Sequence, residues 1–409
     1  MSIRAQVMNL LRSGAALTAA SSILTTGAYI AYKDHNRFLR MQETFARGNI
    51  LAPLAENEHE IRYCNRWDVE AKLDTVLASR FTNEYYLVSG EVGSGKTRTI
   101  VELVRRMMKE RGSENGGAPV YVLVTQGKSF AETLARAVSF YFDEHISFRF
   151  FIDFVLRINA FPEKDEHHKL LRVLDAVENA AFGYMKRTGR PAVLVIDGVN
   201  CLPRKVVLEK LQEKAKLWAD TNIVKMVFVG NDESTEAVLQ EHASNWSRAA
   251  PPVHVCDMSK EEAIRFLRDP QLLESDEATD AGDGAMSVDD AERVYQLVGG
   301  RVQLMIAFKR DHRLGLPFQS TADELIFKER EKFMDVCKSS VILRLVNMVK
   351  KSGADGIPLY KLIDASSENH VATMLRWNVI RIERKGTGMV AVFESRLTEN
   401  VVAAMPLWK

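Results

Sequence analysis

The segment from Gly90 to Thr97 constrains this chain more than any other, because it fits the pattern G-x-x-x-x-G-K-[ST] completely. Glycines in such a loop let the backbone curve around an anion, so that several N–H groups point inward. The lysine places its ammonium group on the terminal phosphates of a nucleotide, and the final hydroxyl ligates Mg²⁺. The residues that this pattern predicts to bind a nucleotide are Gly90, Glu91, Val92, Gly93, Ser94, Gly95, Lys96 and Thr97.

The sequence on both sides of this loop agrees with the pattern. The apolar run 85–88 before it is typical of a short buried strand. After Thr97, apolar residues recur at helical spacing through Met107. A loop between a strand and a helix places the helix N-terminus against the phosphates, where its dipole stabilises negative charge. We therefore expect ATP and Mg²⁺ as cofactors, with Lys96 contacting the β- and γ-phosphates.

A second strand supplies a candidate partner for the metal. The run Ala192–Ile196 is continuously apolar and ends in Asp197, about 100 residues after the loop. A carboxylate at the end of a buried strand can hold Mg²⁺ beside the loop hydroxyl, so Thr97 and Asp197 are the predicted metal residues. Asn231 follows another apolar strand and has two interpretations. It either positions the attacking water beside the γ-phosphate or belongs to a Gly-Asn-Asp turn.

The order of strands and helical segments predicts an α/β fold. Strands separated by helical crossovers favour a parallel sheet with helices on both faces, and we expect five strands. The predicted P-loop domain covers residues 61–258, and a helical lid with an acidic loop at 274–290 covers 259–320. Residues 321–409 contain three amphipathic segments followed by two apolar runs around a Gly-Thr-Gly turn, which predicts a winged-helix domain.

The N-terminus, residues 1–33, differs in composition from the rest. Twenty residues, 13–32, carry no charge, which is about the length of a membrane-spanning helix. Three interpretations are open: a membrane anchor, a mitochondrial presequence, since no acidic residue precedes Asp34, and a soluble Ala-rich helix. We therefore expect a membrane-associated, mitochondrial protein, and the cytoplasm is the alternative location. Residues 34–60 are predicted to form a helical connector.

Composition bears on the possible partners. The chain has 55 basic and 54 acidic residues, so its net charge does not draw it toward nucleic acid. The third helix of the predicted winged-helix domain offers only His370 and Arg376 for base readout. We therefore expect this domain to contact protein partners or to be autoinhibitory, and we do not expect nucleic acid as a partner. The four cysteines are far apart in sequence and indicate neither a disulfide framework nor a zinc site.

Taken together, these motifs resemble the AAA+/STAND group of P-loop ATPases, in particular the archaeal-ATPase and origin-recognition-like members. The segment 65–70, which contains Arg66, is similar to the box that abuts the adenine in this group. The segments 90–97 and 192–197 resemble its Walker A and B elements. Asn231 stands at the position of sensor 1, and Arg248 at that of the arginine finger. The run 298–301 resembles the STAND lid motif, although Val302 replaces the usual proline.

Together with the uncharged N-terminal run, the resemblance leads to a first hypothesis: a membrane-tethered ATPase that uses ATP binding and slow hydrolysis to switch the assembly or remodelling of partners. It further implies a homo-oligomer in which Arg248 acts on the nucleotide of the adjacent subunit. One departure weakens the expectation of hydrolysis, since Gly198 stands where family ATPases usually carry a glutamate. Two alternatives stay open: a nucleotide-gated scaffold without significant hydrolysis, and a DNA-associated loader.

Overall fold

A computed structural model gives the arrangement of most of the 409-residue chain. It describes residues 14–51, 63–80, 83–111, 117–142, 166–202, 205–230, 232–241, 243–269, 285–337, 339–385 and 388–405.

The central element is a parallel sheet of six strands in the order β1-β3-β4-β5-β2-β6. The strands are β1 (Asn49–Leu51), β2 (Tyr86–Ser89), β3 (Val120–Leu123), β4 (Ala192–Asp197), β5 (Val224–Val229) and β6 (Val253–His254). The α/β class and the parallel sheet are confirmed, but the predicted number of five strands is wrong. The additional strand is β1, which lies in the predicted helical connector and pairs with β3 along the edge. Three residues are too few to show a strand period, so this strand has no recognisable sequence pattern.

Helices cover both faces of this sheet. They are α1 (Gly14–Arg47), α2 (Trp67–Ala78), α3 (Lys96–Arg111), α4 (Phe130–Ala137), α5 (Glu166–Thr188), α6 (Lys205–Thr221), α7 (Asp232–Gln240) and α8 (Ala243–Trp246), with a short 3-10 turn at Val199–Cys201. Alternate residues of β4 enter different cores, because Leu194 and Ile196 pack in one apolar cluster and Val193 and Val195 in the other. Burial on both faces explains why β4 is continuously apolar.

Helix α1 joins the first of these cores through its C-terminal half. Met41 and Phe45 are buried there, and Arg37 is buried with an ion pair to Asp34 at 2.9 Å. No helix among the described residues has the length and apolar character that crossing a bilayer requires. The segment that suggested a presequence, residues 1–12, lies outside the described residues.

Two further units, a helical lid and a C-terminal domain, follow the sheet. The lid contains α9 (Lys260–Arg268), α10 (Val288–Val298), α11 (Val302–Arg313) and α12 (Phe318–Val336). The C-terminal domain contains α13 (Ser340–Ser352), a 3-10 turn at Gly353–Asp355, β7 (Ile357–Pro358), α14 (Leu359–Asp364), α15 (Glu368–Arg376), β8 (Ile380–Lys385), β9 (Gly388–Phe393) and α16 (Arg396–Ala404). Its three strands form an antiparallel sheet in the order β7-β9-β8. The predicted order of three helices and a hairpin is present, while the identification as a winged helix stays a prediction.

Helix α16 connects the C-terminal domain to the lid. Leu397 and Val401 pack in the apolar cluster of the lid, whereas Val402 packs in that of the C-terminal domain. The Asn400 side chain donates a hydrogen bond to the carbonyl oxygen of Leu297 at 2.9 Å. The predicted acidic loop at 274–290 is described only from residue 285, and its last residues begin α10, with Ser287 as the N-cap.

A buried lysine fixes α2 to the sheet. Lys225 lies on β5 with its side chain fully enclosed, and its Nζ donates hydrogen bonds to the carbonyl oxygens of Val76 and Ser79, both at 2.7 Å. These carbonyls belong to the end of α2, where a helix leaves its last acceptors without internal donors. Burial lowers the pKa of Lys225 from its ordinary 10.5 to about 8.

We predict that Lys225→Met lowers the free energy of unfolding by about 1–3 kcal/mol, because two buried carbonyls lose their donor. Between about pH 8 and 10.5, unfolded wild-type chains hold a proton that the folded protein has released. The wild type should therefore gain stability relative to the variant as the pH rises through this range. Denaturant unfolding of both proteins at several pH values measures this difference, and parallel pH profiles would contradict it.

Candidate nucleotide site

The phosphate loop connects β2 to α3 and depends on three glycines. Gly90, Gly93 and Gly95 have positive φ values of 156°, 80° and 92°. A side chain at Gly90 would approach the carbonyl oxygen of Val255 to 2.3 Å, and one at Gly93 would approach Oε1 of Gln303 to 2.6 Å. Glycine is therefore required at Gly90 by space as well as by backbone conformation, and at Gly93 chiefly by its positive φ. The loop ends at Lys96, where the first turn of α3 begins.

Lys96 is buried inside this loop. Its Nζ donates hydrogen bonds to the carbonyl oxygens of Gly90 and Glu91, at 2.6 and 2.7 Å. The backbone N–H of Ser94 also donates to the carbonyl oxygen of Glu91, at 3.2 Å. The Glu91 carbonyl therefore joins the lysine to the middle of the loop, and the ammonium group lies against the loop backbone.

The two predicted metal residues lie together at the C-terminal edge of the sheet. Oδ2 of Asp197 accepts hydrogen bonds from Oγ1 of Thr97 and from the hydroxyl of Tyr121, both at 2.7 Å. Burial raises the pKa of Asp197 above its ordinary range, although both hydrogen bonds and the charge of Lys96 oppose the change. The structure thus brings Thr97, Asp197 and Lys96 to one place.

Tyr121 is a member of this site that the sequence analysis missed. It lies on β3, fully buried, and burial beside the Asp197 carboxylate raises its pKa. From the sequence, Tyr121 has no predicted role in the site. A tyrosine in a strand that is covered on both faces needs a hydrogen-bond partner for its hydroxyl, and this requirement was the available signal.

Arg66 holds the phosphate loop in place by hydrogen bonds. Its guanidinium donates to the carbonyl oxygens of Ser94 and Cys256, at 2.9 and 2.7 Å. Nε of Arg66 and Oγ of Ser94 are both buried and make no hydrogen bond with any described residue. Buried polar atoms without partners are uncommon, and here they lie next to a loop whose backbone is shaped for an anion. The residues present therefore fit a bound nucleotide.

The lid begins directly against the loop. The backbone N–H of Gln303 donates to the carbonyl oxygen of Gly93 at 3.1 Å. Nη1 of Arg301 donates to the carbonyl oxygen of Val92 at 2.7 Å, and its Nε pairs with Asp257 at 2.7 Å. The lid motif at 298–301 was predicted from the sequence, but its contact with the loop was not.

The side chain of Glu91 joins the phosphate loop to the lid and to the C-terminal domain. Its carboxylate pairs with Arg301 at 2.5 Å and with Arg381 of β8 at 2.8 Å. Burial raises the pKa of Glu91 to about 7, against the lowering effect of both guanidinium groups. The sequence analysis gave Glu91 no role beyond its place in the motif.

Arg248 does not join this cluster. The carbonyl oxygen of Arg248 accepts a hydrogen bond from the N–H of Tyr85, at the start of β2, whereas the loop follows the end of that strand. Its side chain pairs with Asp220 at 2.6 Å. Action on a neighbouring subunit stays a prediction, as does the role of Asn231, which lies outside the described residues.

Gly198 explains the missing glutamate in structural terms. It has a φ of 74°, in the left-handed region, and a Cβ at this position would lie 2.9 Å from the carbonyl oxygen of Val124. The backbone turns sharply here into the 3-10 turn at Val199–Cys201. A glutamate could not replace Gly198 without moving two backbone segments.

Among solved structures, this chain is similar to origin recognition proteins. ORC1 of Aeropyrum pernix in complex with DNA has 13% identity and a TM-score of 0.45, with 87% of this chain and 96% of that chain covered. ORC2 of the same organism, in ADPNP-ADP complexes, has 13% identity and a TM-score of 0.44, with coverage of 88% and 97%. Drosophila ORC bound to DNA has 13% identity and a TM-score of 0.36, with coverage of 90% and 92%. No curated protein matches the sequence.

These matches contradict one expectation about partners. We expected protein partners, a membrane and a homo-oligomer, and we did not expect nucleic acid. The Aeropyrum ORC1 and the Drosophila ORC structures are both complexes with DNA. The exclusion of nucleic acid is therefore wrong. It rested on the few polar side chains of one helix, and it ignored that phosphate contacts can come from backbone and other elements.

A protein-family model assigns the central part of the chain independently of these structures. Residues 79–239 match an AAA domain. This range begins before β2, contains the phosphate loop and Asp197, and ends in α7. The prediction of an AAA-type P-loop ATPase is confirmed, since residues 79–239 match the AAA domain model.

Proposed function

We propose that this protein binds ATP with Mg²⁺ at the phosphate loop and uses binding and slow hydrolysis as a switch in an assembly or remodelling step. The observation that carries this proposal is the hydrogen bond between Thr97 and Asp197, 2.7 Å long, beside the glycine loop. A hydroxyl and a carboxylate at this separation can share one Mg²⁺ through direct and water-mediated contacts.

The roles of the other residues follow from their positions. Backbone N–H groups from Glu91 to Thr97 and the N-terminus of α3 would receive the phosphates. Lys96 would exchange its two carbonyl contacts for phosphate oxygens, and Arg66 would keep Ser94 in place. The bound Mg²⁺ would neutralise charge on the phosphates. Gly198 offers no carboxylate to accept a proton from water, which favours slow turnover.

A DNA-associated ATPase is the second candidate, as it was the alternative at the level of sequence. DNA is present in two of the complexes named above. Binding of labelled duplex DNA, with ATP, with ADP and without nucleotide, tests this candidate. Affinity that depends on ATP would favour it, and equal weak binding in all three states would oppose it. The salt concentration has to be held constant, because phosphate contacts are strongly salt-dependent.

We predict that Lys96→Ala weakens ATP binding by about 100-fold or more, because a charge-assisted contact to the phosphates is lost. Calorimetric titration of the full chain with ATP measures the affinity. Lys109→Ala is the matched control, since Lys109 lies exposed on the same helix. Equal affinities of the Lys96 variant and the wild type would refute the proposed function.

We predict that Asp197→Asn retains ATP binding in the presence of a chelator but loses most of its Mg²⁺-dependent turnover. The amide keeps the shape of the side chain and removes the charge that attracts the cation. Phosphate release at increasing Mg²⁺ concentrations is the measurement. Turnover equal to that of the wild type at low Mg²⁺ would show that Asp197 has no part in metal binding.

We predict that Tyr121→Phe raises the Mg²⁺ concentration needed for half-maximal turnover by roughly 10-fold. Groups that orient a metal-binding carboxylate typically change metal affinity by about 10- to 100-fold when removed. ATP affinity in a chelator should stay unchanged, because the hydroxyl contacts Asp197 and lies behind it. Identical Mg²⁺ dependence in both proteins would contradict this role.

A further inference from the structure

The Glu91 side chain is held by two parts of the chain that lie more than 200 residues further along the sequence. Arg301 comes from the start of the lid, and Arg381 comes from β8 of the C-terminal domain. The Glu91 carboxylate is mostly enclosed between them, with 18% of its side chain exposed. A residue within the phosphate loop is therefore in direct contact with the C-terminal domain.

Arg381 is itself oriented by neighbours on its own domain. Its Nε and Nη2 donate to Oε1 of Glu383, at 2.9 and 2.6 Å, and its Nη1 donates to the carbonyl oxygen of Glu394 at 2.8 Å. Its Nε also lies 2.8 Å from Oε1 of Glu91. These contacts hold the guanidinium group of Arg381 in one orientation, in which it faces the phosphate loop.

Glu394 closes the cluster into a ring. Its carboxylate accepts from Nη1 of Arg301 at 3.0 Å, and its backbone carbonyl oxygen accepts from Arg301 and Arg381, at 2.9 and 2.8 Å. Two guanidinium groups face four carboxylates, which are those of Glu91, Asp257, Glu383 and Glu394. The surrounding carboxylates disfavour an anion-binding role for this pair of arginines.

The position of Glu91 matters because its backbone is part of the loop. Its carbonyl oxygen accepts hydrogen bonds from Nζ of Lys96 and from the N–H of Ser94. A displacement of the Glu91 side chain therefore moves a carbonyl that orients the lysine and the centre of the loop. The C-terminal domain is also fixed to the lid through α16, so it can hold its side of the contact.

We propose that Arg381 is a positioning residue for the phosphate loop, and that the C-terminal domain sets the affinity for nucleotide through the Arg381–Glu91 ion pair. This proposal rests on the proposed function, because it requires that the loop binds a nucleotide. A loop that is already ordered loses less conformational entropy on binding, and each immobilised side chain changes the binding free energy by about 0.5–1.5 kcal/mol. The corresponding change in affinity is roughly 2- to 13-fold per tethering contact.

A double-mutant cycle in the full-length protein tests this proposal. The variants are Glu91→Gln, Arg381→Gln and the two together, and the measurement is the dissociation constant for ATP. We expect each single variant to bind ATP roughly 2- to 13-fold more weakly. The double variant should be no weaker than Glu91→Gln, because Glu91→Gln already removes the contact that Arg381→Gln removes, together with the pair to Arg301. Lys385→Gln is the control, since it removes a positive charge from an exposed position on the same strand, and it should bind like the wild type.

Three results would overturn the proposal. The first is unchanged affinity in Arg381→Gln, and the second is additive losses in the double variant, which would indicate a purely structural role of Arg381. The third is tighter binding in either single variant, which would mean that the ion pair opposes nucleotide. If Arg381→Gln does not fold, Glu91→Gln is the deciding variant, because it removes the ion pair from the side of the loop. Unchanged affinity of Glu91→Gln for ATP would then overturn the proposal.

The Lys96→Ala measurement separates this proposal from the proposed function. If the wild type does not bind ATP, or if Lys96→Ala binds equally well, the proposed function fails. If Lys96→Ala abolishes binding while Arg381→Gln has no effect, the proposed function stands and only the role of Arg381 fails.

Discussion

The parallel pairing of β4 with its two neighbours is the constraint on which the rest of the structure depends. Its register sets Asp197 opposite Val229 on one side and Leu123 on the other, so three strands end at the same edge. The carbonyl oxygen of Asp197 then accepts from the N–H of Val124, which fixes the backbone just before Gly198 turns. Because this edge is fixed, the Asp197 carboxylate meets the Thr97 hydroxyl without any adjustment of the loop.

The position of Asp197 has an electrostatic consequence. A carboxylate at a dry strand end loses hydration, and its raised pKa reflects this loss. Hydrogen bonds from Thr97 and Tyr121 offset part of that cost. A divalent cation would offset much more, since it brings positive charge to a region where the effective dielectric constant is low. The same burial that disfavours the free carboxylate therefore favours the metal.

The sequence was sufficient for the elements whose signals are local. The eight-residue loop pattern located the site, and the apolar run before Asp197 located its metal partner, because a strand buried on both faces cannot be polar. Elements that depend on distant contacts were not predictable. Strand β1 is defined by pairing with β3, and Tyr121 is defined by a hydrogen bond to a residue 76 positions away. The contact of Arg381 with Glu91 depends on the docking of whole domains, for which one sequence gives no period or motif.

The phosphate loop contacts the lid and the C-terminal domain through ion pairs and hydrogen bonds, whereas the lid and the C-terminal domain contact each other partly through apolar side chains of α16. Partly buried ion pairs contribute little net stability, because desolvation of both charges opposes their attraction. Their value at this junction is therefore geometric, since a guanidinium with several fixed acceptors allows only one orientation. Apolar packing is non-directional, whereas the hydrogen bonds of the ring around Arg301 and Arg381 fix an orientation. An ionic junction thus transmits the position of the C-terminal domain to the Glu91 carbonyl and from there to Lys96.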